Sequence, residues 1–149
     1  MTTSRSQTMP PADPGFAPDP EDLVAIDDWF RRYDAYAAAG DVAGTASMAL
    51  FPLNTVTDDA AGEGSARLLS REEYLQTMGG VLDGGDLTME SRRTPYFLTR
   101  SLAVVFTEAE FTIDGNRQRV RYADLLVKVG GEWRFQTMVQ GGWGDYAGN

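Results

Sequence analysis

The sequence predicts an α+β fold in which helices cover one face of an antiparallel sheet. Two observations carry this. The first part of the chain places apolar residues at helical spacing. From Leu102 to Val139, three extended runs rich in Val, Phe, Thr, Tyr and Leu are separated by the hairpin-turn dipeptides Asp114-Gly115 and Gly130-Gly131. Helices first and a meander afterwards put the helices on one side of the sheet.

The first helix starts at Asp19, a good N-cap, with Pro20 at the first helical position and Asp22 in the first turn. Leu23, Ile26, Phe30, Tyr33 and Ala37 then recur at 3-4-3-4 spacing until Gly40 ends the run. Asp41 to about Met48 reads as a short second helix. Leu53 to Thr57 alternates like a strand ahead of the polar loop Asp58 to Gly64. Ser70 and Glu73 form a capping box for a third helix bearing Tyr74, Leu75 and Met78, which Gly79-Gly80 is expected to stop or fray. A fourth run, Leu87 to Leu98, leads into the paired strands.

Two-residue loops set the register of those strands, because directly opposed residues share a face. Lys128 falls opposite Trp133, Leu126 opposite Phe135, Asp124 opposite Thr137 and Tyr122 opposite Val139; on the other side Tyr122 meets Thr107 and Asp124 meets Val105. The inner face therefore carries Val105, Thr107, Tyr122, Asp124, Leu126, Trp133, Phe135, Thr137 and Val139. The same register pairs Glu110 with Arg119 and Glu108 with Arg121 on the outer face, opposite charges that played no part in choosing it. A four-residue loop at Asp114 to Arg117 would keep the faces and shift the partners. The rest of the outer face is apolar: Leu102, Val104, Phe106, Ala123, Leu125, Val127 and Met138. A surface of that size is expected to be covered, either by a second copy of the chain in a homodimer or by one of the terminal segments.

Composition narrows the chemistry. A chain of 149 residues that is 42% hydrophobic can bury a real core. The net charge of −9 and the single lysine, Lys128, leave no broad cationic footprint for nucleic acid. No run of apolar residues is long enough to span a bilayer. Residues 1–18, with Pro10, Pro11, Pro14 and Pro18 among polar residues, read as a disordered leader with no signal-peptide core, before a domain over 19–143 and a tail over 144–149. The lack of cysteine is compatible with the cytoplasm, where the protein is expected. With neither histidine nor cysteine, Ser-His and Cys-His nucleophiles and histidine-bound zinc are ruled out. The stretch Asp58 to Glu63 lacks the ligand spacing of a calcium loop, and no metal or cofactor is expected. Any proton transfer falls to carboxylates and tyrosines.

Asp124 is the leading candidate, because a carboxylate among Val105, Leu126, Phe135 and Val139 loses hydration and should hold its proton more tightly. The competing reading is a structural acid tied to Thr137, Tyr122 or a backbone donor. Tyr122 shares the face two residues away, and Thr107, Thr137, Phe135, Val105, Val139 and Trp133 complete the candidate ligand-contacting set. Of Arg92 and Arg93, one faces inward and the other out, and which is which is left open.

The helix Asp22 to Ala39 ending in Gly40-Asp41, the capped helix from Ser70 and the closing hairpin with Gly130-Gly131-Glu132-Trp133-Arg134-Phe135 resemble the nuclear transport factor 2-like superfamily, in particular its SnoaL-like members. The resemblance spans roughly residues 20 to 143. It implies a cone-shaped curved antiparallel sheet wrapped against three N-terminal helices, a ligand pocket in the cone and frequent homodimers. Relatives include isomerases, polyketide cyclases, dehydratases, epoxide hydrolases, non-catalytic binders and association modules, so fold alone does not set function. Ketosteroid isomerase, a superfamily member whose carboxylates are a known case of tuning by environment, pairs strand acids with a helix tyrosine. By that resemblance Asp124 would be the acid-base group and Tyr33 the phenol. The histidine of many cyclase and dehydratase relatives is absent, and Tyr122 stands where an epoxide hydrolase would need arginine in Arg-x-Asp. The expected ligand is an apolar molecule of polyketide or terpenoid character.

Overall fold

The structure, a computed structural model, describes residues 16–82, 87–113 and 115–145. Helices α1 (Pro20–Ala38) and α2 (Val42–Ala46) precede strands β1 (Ala49–Asp58) and β2 (Gly64–Leu69), then α3 (Arg71–Leu82) and strands β3 (Leu87–Thr99), β4 (Leu102–Ile113), β5 (Asn116–Val129) and β6 (Glu132–Gln140), with a 3-10 turn at Trp143–Asp145. The strands form one unclosed sheet of six in the order β2-β1-β6-β5-β4-β3, and the helices pack on its inner face. The fold is the expected α+β arrangement, with one correction to the sheet. β1 and β6 run parallel, so the sheet is mixed and not purely antiparallel. A parallel pair needs a long crossover, here supplied by everything from β2 to β5. The β1–β6 ladder slips between Ala49 and Asn54, a stretch containing Pro52, which has no N–H to contribute.

The helix ends are capped as the sequence implies. The Asp22 carboxylate accepts the Asp19 N–H at 2.9 Å, and Asp41 accepts from Gly44 at 2.9 Å. Ser70 and Glu73 bond each other's backbone N–H reciprocally, at 2.9 and 3.1 Å. α3 does not stop at Gly79-Gly80 but continues to Leu82. Tyr74, Leu75 and Met78 anchor it in the core, and this packing outweighs the roughly 1 kcal/mol that a helical glycine costs.

Gly130 (φ 60°) and Gly131 (φ 83°) make the two-residue turn, and Gly115 (φ 84°) sits in the other; Asp114 lies outside the described residues, as do residues 1–15 of the leader and 146–149 of the tail. Phe16 packs on Phe97, with ring centroids 6.1 Å apart. The pairs Val105/Asp124, Thr107/Tyr122, Glu108/Arg121, Glu110/Arg119, Leu126/Phe135 and Lys128/Trp133 form as expected. The β5–β6 register then shifts between Leu126 and Leu125, leaving Gln136 as an extra residue in β6. Beyond this bulge every β6 side chain changes face. Asp124 meets Met138, Leu125 meets Thr137 and Ala123 meets Val139. Thr137 and Val139 therefore belong to the outer face, where Val139 is exposed, and Met138 packs on the core.

Candidate functional site

Asp124 stands near the middle of β5, opposite Val105 on β4 and Met138 on β6, and only 7% of its surface is exposed. Its carboxylate accepts no hydrogen bond from any described group. Yet among the described residues no fully buried side-chain N or O atom lacks a partner. Its oxygens must therefore reach space that solvent or a ligand can enter. The structural-acid reading required Thr137, Tyr122 or a backbone donor. Thr137 points to the other face and donates to Gln136 at 2.6 Å, and the Tyr122 hydroxyl is an acceptor for Arg93. Burial pushes the Asp124 carboxyl up to about 7; Arg93 pulls it down and Asp34 pushes it up, both by smaller amounts.

Tyr33, on the inner side of α1, stacks on Trp29 (centroids 5.6 Å, 8° between planes) and meets the edge of Phe135 at 5.5 Å. Burial holds its phenol well above the ordinary value, with Tyr74, Asp124 and Tyr122 adding to the shift. Tyr74 on α3 is also buried and raised by burial; its hydroxyl donates to Thr45 Oγ1 at 3.0 Å, which in turn donates to the Val42 carbonyl at 2.8 Å. The Asp124 charge adds to the upward shift of Tyr33, Tyr74 and Tyr122, so three phenols lie within electrostatic reach of one carboxyl. Val105, Phe135 and Thr107 share the inner face with Asp124, as expected. Trp133 shares that face further along, buried in the core. It lies at the hairpin end, with Lys128 5.0 Å above its ring and its carbonyl accepting from Trp29 Nε1 at 2.9 Å.

Sequence reasoning expected one of Arg92 and Arg93 to face inward but missed its partner, Asp34. Arg93 on β3 faces inward with 13% of its side chain exposed, whereas Arg92 faces out beside Glu108. The Arg93 guanidinium forms a two-point pair with Asp34 of α1 (2.6 and 3.0 Å), donates to Tyr122 Oη at 3.2 Å and to Thr107 Oγ1 at 3.3 Å, and lies 4.2 Å over the Phe30 ring. Two signals could have found it. Arg93 shares strand parity with the apolar Phe97, and Asp34 follows Phe30 by one helical turn on the inner side of α1. Asp58 and Asp59, by contrast, serve turns: Asp58 accepts from Gly142, and Asp59 from Ala61 and Glu63. Among the described residues no three His, Cys, Asp or Glu side chains cluster as a metal site, and no helix is long and apolar enough to cross a membrane.

Two clefts lie elsewhere. One of about 560 Å³ runs over the outer face among Arg92, Glu108, Glu110, Arg119 and Arg121. The other, of about 400 Å³, lies under α1 among Trp29, Arg32, Tyr36, Met48 and Trp133. Neither is lined by Asp124 or Tyr33.

No protein-family model matches the chain, and no curated protein matches it. Solved structures do. A nuclear transport factor 2-like protein of unknown function from Pseudomonas putida superposes with a TM-score of 0.67 at 12% identity, over 84% of this chain and 89% of that one. A scytalone dehydratase-like protein from Novosphingobium aromaticivorans gives 0.60 at 18% identity, covering 80% and 82%. A ketosteroid isomerase-like protein from Erwinia carotovora gives 0.58 at 17%, covering 83% and 97%. The chain thus has the nuclear transport factor 2-like fold, as its resemblance implied.

Proposed function

We propose that this protein binds a mostly apolar small molecule of polyketide or terpenoid character inside the cone and that Asp124 exchanges a proton with it. The reaction would be a cofactor-independent isomerisation, cyclisation or elimination. The observation that supports this best is the Asp124 carboxyl, nearly buried, without a hydrogen-bond partner among the described residues and within electrostatic reach of three phenols. A structural acid is ordinarily tied to protein donors, whereas the Asp124 oxygens have none among the described residues and open onto space that a ligand can enter. With its pKa pushed up to about 7, it can give or take a proton at neutral pH. Two structural neighbours are named scytalone dehydratase-like and ketosteroid isomerase-like, which is consistent with this.

Tyr33, wedged between rings, serves packing more than proton transfer, and the phenol placed to touch a ligand is Tyr122. A second reading is a binder without chemistry that uses the same residues. We further propose a homodimer through the outer face, where Tyr96, Leu98, Leu102, Phe106 and Val139 are exposed together.

The test is retention of a small molecule from a metabolite extract, read by native mass spectrometry. The wild type should hold one and Asp124→Leu should lose it. If Asp124→Asn keeps the molecule but stops its conversion, Asp124 is an acid-base group. If conversion never occurs with the wild type, the protein is a binder. Retention that is indifferent to residue 124 would end both readings.

A further inference from the structure

Arg93 looks at first like an anion-binding group, but its contacts argue otherwise. A guanidinium has five N–H donors. Those of Arg93 reach both oxygens of Asp34, the Tyr122 hydroxyl and Thr107 Oγ1, and Phe30 covers one face of the group. Its charge is already matched by Asp34 in a two-point pair, so little of it is left for a ligand.

The consequence falls on Tyr122. Its oxygen accepts from Arg93, and its own O–H donates to no described group. Both Asp34 oxygens accept from Arg93, which fixes the guanidinium that donates to Tyr122. Tyr122 is therefore left as a donor on the same face and two residues along β5 from Asp124. The ion pair contributes no net charge with which to attract a negative ligand.

We propose that Arg93 and Asp34 are positioning residues that hold Tyr122 as the hydrogen-bond donor of the site, and that the site consequently selects an uncharged ligand with an oxygen acceptor over a carboxylate or phosphate. This rests on the ligand-site reading above and adds the polarity of the ligand to it. Asp34 is the selectivity switch: without it the Arg93 cation is unmatched, and the preference should move toward anions.

The experiment compares 2-acetylnaphthalene with 2-naphthoate, two probes of similar shape and different charge, at pH 6, where Asp124 keeps its proton and naphthoate is ionised. The wild type should bind the ketone more than about tenfold tighter than the carboxylate. The bound carbonyl stretch should be lowered by Tyr122 donation. Tyr122→Phe should weaken the ketone about tenfold and abolish that lowering. Asp34→Asn should reverse the preference in favour of naphthoate, an outcome that simple loss of packing would not produce. Arg93→Gln removes the donor that holds the Tyr122 oxygen and should weaken the ketone in the same direction as Tyr122→Phe, with little further loss in the double variant. The inference is overturned if Tyr122→Phe leaves the ketone affinity and stretch unchanged, or if Asp34→Asn retains the wild-type selectivity. Binding of neither probe to the wild type would instead remove the ligand-site reading beneath it.

Discussion

Replacing Asp124 with asparagine should make the fold more stable, and by an amount that depends on pH. In the unfolded chain this carboxyl ionises at its ordinary 3.8; in the folded protein burial raises it to about 7. Between those values the folded state holds a proton that the unfolded state has released, so wild-type stability declines as pH rises. At about 1.4 kcal/mol per pH unit, that interval amounts to about 4 kcal/mol, complete once the pH passes about 7. The stabilising contribution is therefore whole below pH 4 and gone at pH 8. The asparagine side chain cannot ionise, so the variant escapes the loss. Urea unfolding of both proteins, followed by tryptophan fluorescence from pH 4 to pH 8, should show nearly equal stability at the acid end. The gap should widen steadily in favour of the variant until pH 7 and stay level above. Parallel profiles across the range would refute the claim that Asp124 is desolvated and unpaired.

Other outcomes follow from the same geometry. Arg93→Met should cost about 3 kcal/mol by stranding Asp34, and Arg93→Met with Asp34→Leu should recover much of it, as read by thermal unfolding of the single and double variants. Asp34 keeps a third of its side chain exposed, which places the single-variant cost at the low end of buried pairs. Gly44→Ala should destabilise by about 1–3 kcal/mol, because a methyl there would overlap the ring of Tyr36, itself packed against the core; calorimetry checks this. Phe106→Arg, a change on the exposed outer face, should convert a dimer to a monomer in sedimentation velocity, and a monomeric wild type would dispose of the proposed dimer.

The central pairing was legible because both hairpin turns and the alternation around them agree. Thr107 with Tyr122 and Val105 with Asp124 follow directly, and with them the burial of Asp124. The bulge at Gln136 was not legible. A glutamine is tolerated on either face, so nothing local marked it, and a single extra residue reversed Thr137, Met138 and Val139. The parallel pairing of β1 with β6 was hidden as well, since it joins segments far apart in sequence and the β1 pattern is interrupted by Pro52. Periodicity could put Arg93 and Asp34 each on an inward face, but that they meet depends on how α1 lies across β3, a tertiary fact. Trp29 was likewise missed on α1, although it is more deeply buried than Leu23, which opened the expected stripe.

The most direct measurement is a crystal structure of the protein carrying the molecule it retains from a metabolite extract. The expected result is density inside the cone, with a polar atom within hydrogen-bond reach, roughly 3 Å, of both Asp124 and the Tyr122 hydroxyl. Density confined to the cleft under α1 or to the charged groove on the outer face, with Asp124 untouched, would contradict the proposed site.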